Sequence, residues 1–226
     1  MESNIPEISE IIVVFDGHDN TPEVAKNSGV KVKVLRYERR LGQGGAVFEG
    51  FRNASSDIIC FVDADGATPW YEVRRICHLV GPQNPAVIAS RWVQGSSVGR
   101  RESLRNVIGG RVFYLLAFLI LGVVERDSFC GLKAFTREVA NELVRRITIS
   151  DRSFNPAIVY HLKLMKIKSL EVGVEWVHKD DSKLPVGLKA IVLMFMTIVG
   201  LRITHSHKTK RFSSTLVRFR DKIRFY

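Results

Sequence analysis

The chain has 226 residues, 46% hydrophobic and 25% charged. That is enough apolar material for a sizeable core and excludes a globally disordered chain. The formal net charge of +11 points to anionic partners: nucleotide phosphates, an acidic membrane surface or nucleic acid. Three cysteines, Cys60, Cys77 and Cys130, show no C-x-x-C spacing, which fits a reducing cytosol and not a disulfide scaffold.

Met1 to Glu10 is polar and acidic, unlike a signal peptide. Glu10 to Phe15 (EIIVVF) reads as a buried strand ending in Asp16-Gly17. Thr21-Pro22-Glu23 reads as a helix start, with Thr21 as N-cap, and the helix runs to about Ser28 before Gly29. Val30 to Leu35 alternates strictly and predicts a strand. Gly42-Gln43-Gly44-Gly45 lacks the lysine of a P-loop; it reads as a plain loop bringing Arg39 and Arg40 near the sheet edge, with phosphate cradling as the alternative. A helix follows over Ala46 to Ala54.

Ile58 to Val62 is a short continuous apolar run, the pattern of a strand buried on both faces. It stops at Asp63-Ala64-Asp65-Gly66, followed by Pro69. Two carboxylates at the C-terminal end of such a strand sit where open α/β sheets bind ligands. Their hard oxygens suit Mg²⁺ or Mn²⁺, ions that bridge to substrate phosphates. The alternative is a pair of solvated turn residues. A helix over Glu72 to Val80 and a strand over Ala86 to Ala89 complete a strand–helix alternation, which predicts an α/β fold with a mostly parallel sheet and helices on both faces.

The second half is different. Val112 to Val124 and Ala190 to Leu201 are apolar throughout, 13 and 12 residues long, flanked by Arg105, Arg111, Lys189 and Arg202. A spanning helix needs roughly 20 residues. They read either as core helices or as interfacial helices lying in a headgroup plane. The tail from Arg202 interleaves basic residues with Phe212, Leu216, Phe219 and Ile223, which favours contact with an anionic membrane. Ser169 to Val177 reads as a further strand. No nucleic-acid module is recognisable, so nucleic acid is not the expected partner.

The segments IIVVFDGHDNT, RLGQGGAV, FVDADGAT, IASRW, RDSFCGLKAFTRE and EVGVEWVHKDDSKL together resemble the inverting family 2 glycosyltransferases, within them the dolichyl-phosphate sugar synthases. The resemblance covers about Ile11 to Ile203 and leans toward the β-glucosyltransferases. It implies a GT-A fold, a nucleotide-sugar donor (UDP-glucose or GDP-mannose), a divalent metal, Mg²⁺ or Mn²⁺, and a polyprenyl (dolichyl) phosphate acceptor. On it, Asp63 and Asp65 hold the metal, with Asp63 toward the ribose and diphosphate. Asp16 lies near the nucleobase. Lys179, Ser182 and Lys183 lie on a loop closing over the donor diphosphate. Arg91 and Arg105 grip the acceptor phosphate, and Asp127 stands beside the acceptor. Residues 1–185 would form the glycosyltransferase domain, including an apolar helix at about 104–124. Residues 186–226 would form a membrane-associating segment, peripheral at the cytoplasmic face.

Two departures stand out. Met1 to Glu10 is too short for the family's first strand and P-x-Y-N-E-like turn. The family's F-D-x-E stands here as Phe154-Asn155-Pro156-Ala157. A second expectation is therefore a non-catalytic relative that binds lipid, nucleotide or a partner subunit.

Overall fold

The computed structural model describes residues 8–99, 104–177 and 188–204. Their elements run β1 (Ile11–Phe15), α1 (Thr21–Lys26), β2 (Val32–Arg36), α2 (Gln43–Asn53), β3 (Ile58–Val62), α3 (Trp70–His78), β4 (Ala86–Ser90), β5 (Ser97–Val98), α4 (Leu104–Leu121), β6 (Leu132–Thr136), α5 (Arg137–Arg146), α6 (Phe154–Leu164), β7 (Leu170–Gly173), β8 (Glu175–Trp176) and α7 (Leu188–Thr204).

The sheet is divided among the described residues. β1 and β2 pair in parallel, and a separate four-stranded sheet has the order β3-β6-β4-β7. β6 runs antiparallel to both β3 and β4, while β7 is parallel to β4. The strands called in the first half therefore do not form one continuous parallel sheet. β6 separates β3 from β4 because the turn before it starts at the end of β3, where Asp63 N donates to Gly131 O at 2.9 Å.

Helices cover both faces of this sheet. On β4, Ala86 and Ile88 join one buried cluster and Val87 and Ala89 the other, as the two-residue strand period requires. The larger cluster gathers Phe48, Phe51, Phe61, Phe135 and Phe154 with Leu143 and Ile158. The smaller lies under α3, around Ile76, Val80 and Leu132. β4 is buried along its whole length. β3 is not buried on both faces as its apolar run predicted: Ile59 and Phe61 point inward, but Ile58 and Val62 are exposed. Among the described strands it pairs only with β6.

Local starts also differ from the sequence reading. Thr21 is the first helical residue, and the Asp19 carboxylate takes its N–H at 3.0 Å. The glycines of the Gly42–Gly45 segment belong largely to α2 itself. A Cβ on Gly44 would lie 2.6 Å from Phe154 Cβ and 2.7 Å from Ile149 O, so glycine lets the start of α2 press on that segment. Gly44 N and Gly45 N both donate to Ser150 O. These helix-start N–H groups serve packing, which answers both the loop and the phosphate-cradle readings.

α4 is apolar all round. Phe113, Ala117 and Leu121 face the core, while Ile108, Val112, Leu115 and Leu119 form an exposed stripe at helical spacing. It packs against α7, where Ile198 and Leu201 are buried and Val192 and Phe195 exposed. No described helix is long and apolar enough to cross a membrane.

Candidate active site

The candidate residues converge because several strands end together. Asp16 follows β1, Asp63 and Asp65 follow β3, and Arg91 follows β4. The Asp16 carboxylate accepts from Leu41 N at 2.7 Å and Gly42 N at 3.3 Å, and Arg40 lies 3.3 Å from its other oxygen. Asp16, Arg40, Gly42, Gln43 and Ala46 line a cavity of about 230 Å³.

Gln43 links that cavity to the carboxylate pair: its Nε2 donates to Asp63 Oδ1 at 3.0 Å. Asp63 is half-buried and pressed against Gly131, where an added Cβ would sit 1.9 Å from Asp63 Oδ2. Burial raises the Asp63 carboxyl above its ordinary pKa, and the like charge of Asp65 adds to this; Lys133 and Arg152 pull the other way. Asp65 is exposed, its Oδ1 accepting from Ala67 N at 2.9 Å across a turn that uses Gly66 at φ 68°. No group of three or more His, Cys, Asp and Glu gathers among the described residues. Hard carboxylate oxygens, one group burdened by burial and by its neighbour's charge, are donors of the kind that suits a divalent cation.

Behind Asp63 lies Lys133, fully buried on β6. Its ammonium donates to Cys130 O and Asn155 Oδ1, both at 2.6 Å, and faces the Phe61 ring at 5.3 Å. Burial lowers its pKa to about 8, opposed by the nearby acidic groups. Cys130, beside it, is pushed up to about 12 by burial. Asn155 thus has a definite task as the acceptor for a buried lysine.

Arg91 and Asp127 form one unit. The guanidinium meets the carboxylate through Nε at 2.7 Å and Nη2 at 2.9 Å, and Arg91 N adds a third bond at 2.9 Å. The carboxylate is only 1% exposed. Glu171 orients the turn by accepting from Arg126 N and Asp127 N. The Arg91 guanidinium lies 5.2 Å from the Trp176 ring and 5.8 Å from Trp92, and exposed Arg111 covers Trp92 at 4.7 Å. Gly110 makes room for that indole, since a Cβ there would come within 2.6 Å of it. One edge of Arg91 is therefore already committed to Asp127.

Arg105 falls in the first turn of α4, and its side chain lies outside the described residues, as do Lys179, Ser182 and Lys183. Sequence reasoning singled out neither Gln43, Lys133 nor Trp92. A lysine inside the strand LKAFT was the one available signal, because a charge in a buried strand needs a reason.

A model described as glycosyl transferase family 2 matches residues 3–144. The chain belongs to this family. Its relatives include the dolichyl-phosphate beta-glucosyltransferase of Dictyostelium discoideum, 29% identical over 87% of this chain and 63% of that protein. The Trichomonas vaginalis protein of that name designated ALG5C is 32% identical over 89% and 62%. The chain thus spans about three fifths of the length of these relatives. Among solved structures it resembles glucosyl-3-phosphoglycerate synthase from Mycobacterium tuberculosis with Mn²⁺, UDP-glucose and phosphoglyceric acid (TM-score 0.62, 19% identity, 87% of this chain and 68% of that one). It also resembles the mannosyltransferase PcManGT from Pyrobaculum calidifontis with GDP-mannose and Mn²⁺ (TM-score 0.53, 17% identity, 92% and 58%). The family member has the GT-A fold, as its motifs implied.

Proposed function

We propose that this family 2 chain transfers a hexose from a nucleotide sugar to a polyprenyl phosphate at a membrane surface, with inversion at the sugar carbon. The observation that carries the reading is the pairing of Asp63 with Asp65 at the end of β3, beside the cavity of Asp16 and Gln43. The names of the relatives favour glucose as the sugar and dolichyl phosphate as the acceptor. The solved relatives that hold Mn²⁺ with UDP-glucose or GDP-mannose favour a metal-dependent donor site.

Asp63 and Asp65 would hold Mg²⁺ or Mn²⁺, which when bound neutralises the leaving diphosphate. Asp16 and the Gly42 turn would receive the nucleoside, and Gln43 keeps the Asp63 oxygens aimed. Lys133 and Arg152 supply positive charge behind the carboxylates. Lys179, Ser182 and Lys183 would close over the diphosphate. A phosphate monoester acceptor has a second pKa of about 6, so it needs little deprotonation and a strong general base is dispensable. Asp127, fixed by Arg91, would stand beside that acceptor, with Arg105 and Arg91 on its phosphate.

The exposed stripe of α4, the outer face of α7 and the basic tail would meet the cytoplasmic face of a membrane peripherally. On this reading residues 1–185 are the transferase domain and 186–226 the membrane-associating segment.

Calorimetry with UDP-glucose or GDP-mannose, with and without Mn²⁺, tests the donor site. Asp65→Asn is expected to remove most metal-dependent binding without altering the melting temperature; unchanged binding removes the assignment. Flotation with anionic liposomes tests the surface, where binding should weaken as salt screens the charge. The second reading, a non-catalytic relative, is favoured by Asn155 and Ala157 standing where carboxylates are expected. Metal-dependent donor binding without transfer to dolichyl phosphate would select it.

A further inference from the structure

A second concavity, of about 410 Å³, lies beside the cavity of Asp16 and Gln43. It opens between residues 39–41, one face of α2 and the 147–150 stretch that joins α5 to α6. The face of α2 is set by helical spacing, with Phe48 and Arg52 one turn apart. The lining has two chemistries. Arg39, Arg40 and Arg52 are exposed and stand at the rim, while buried Phe48, Ile147 and Ile149 form an apolar floor.

Glu49 is the one carboxylate in this lining, and both its oxygens are engaged. Oε1 accepts from Arg52 at 2.7 Å and Oε2 from the Tyr37 hydroxyl at 2.8 Å. Arg40 reaches Asp16 in the neighbouring cavity at 3.3 Å, and Arg39 enters no ion pair among the described residues. Three guanidiniums thus surround one concavity that holds a single, already paired carboxylate. Their repulsion would be relieved by an anion, and guanidinium forks match phosphate oxygens. A bare phosphate would leave the floor wet, whereas an apolar substituent would cover it.

We propose that this cavity is a second anion-binding site, for a phosphate monoester that carries an apolar or aromatic substituent. The phosphate meets Arg39, Arg40 and Arg52, and the substituent lies on Phe48, Ile147 and Ile149. A nucleotide and a lipid phosphate share this chemistry; they differ in offering a flat ring or an aliphatic chain. Unlike the site at Asp63 and Asp65, this one needs no divalent cation, because its cations are supplied by the chain itself.

The test is calorimetry on the full chain in EDTA, with inorganic phosphate, phenyl phosphate and hexyl phosphate. Phenyl or hexyl phosphate is expected to bind more tightly than inorganic phosphate; the tighter of the two shows whether the site is nucleotide-like or lipid-like. Arg39→Gln and Arg52→Gln are each expected to weaken that binding about three- to tenfold with the melting temperature kept. Arg52→Gln should have the larger effect, since it also releases a Glu49 oxygen toward the anion. Asp65→Asn is expected to leave the binding unchanged. Failure of both organic phosphates to exceed inorganic phosphate, unchanged binding in either arginine variant, or a loss in Asp65→Asn would each overturn the proposal. The readout needs neither metal nor sugar donor, so its failure is distinguishable from failure of the transferase reading.

Discussion

Acidic residues in two regions of the molecule are held in different ways. Beside the four-stranded sheet, Asp127 is buried and takes two guanidinium bonds and a backbone N–H from Arg91, while Asp63 is pressed on Gly131 above a buried lysine. In the β1–β2 pair, Asp16 meets a cation that is 76% exposed and two N–H groups of a surface turn. The same residue type is thus fixed by packing in one region and left beside open solvent in the other. The packed region sets geometry in advance; the open region has room for a ligand.

The largest expected effect breaks the packed side. Asp127→Ala leaves a desolvated guanidinium behind and should cost about 3–5 kcal/mol in denaturant unfolding. A loss below about 1 kcal/mol would erase the contrast with Asp16.

Lys133 sharpens the same contrast through pH. Its folded pKa is about 8 against an ordinary 10.5. Below pH 8 the lysine is charged in folded and unfolded chains alike, and its burial penalty is constant. Between those values the unfolded chain keeps a proton that the folded chain has lost, so this group's contribution to stability rises with pH. Relative to Lys133→Met, wild type should gain up to about 3 kcal/mol across the window, at about 1.4 kcal/mol per unit. A flat difference between the two unfolding curves would show that the ammonium is not desolvated.

Gly131→Ala probes the cradle of Asp63. The new Cβ has to displace a carboxylate, and overpacking of this kind costs about 1–3 kcal/mol. Mn²⁺-dependent nucleotide binding should weaken in calorimetry alongside the melting temperature; intact binding would mean that Asp63 has room to shift harmlessly.

The smallest effect belongs to the open side. Arg40→Ala removes a solvent-exposed pair and should change stability by less than about 1 kcal/mol. Any loss should appear in nucleotide binding, since Arg40 lines the cavity with Asp16. A larger melting-temperature drop would move Asp16 into the packed class.

The sequence alone determined the alternating elements of the first half, the two apolar helices and the position of the Asp63–Asp65 pair. These are local properties: hydrophobic period, breakers and short motifs are read within a window of a few residues. It also carried the family likeness, because the motif segments are contiguous. Only the tertiary structure decided which groups meet. Leu132–Thr136 enters between β3 and β4 from far along the chain, so neither the divided sheet nor the half-exposed β3 could be read from the run IICFV. Asn155 read as a lost carboxylate until Lys133 was found donating to it across 22 residues of sequence. Arg91 is expected from its motif to hold the acceptor phosphate; that Asp127, 36 residues away, also holds its Nε and Nη2 is decided only by the fold. A charge's role depends on what desolvates it and what pairs with it, and both are set by long-range packing that no local pattern encodes.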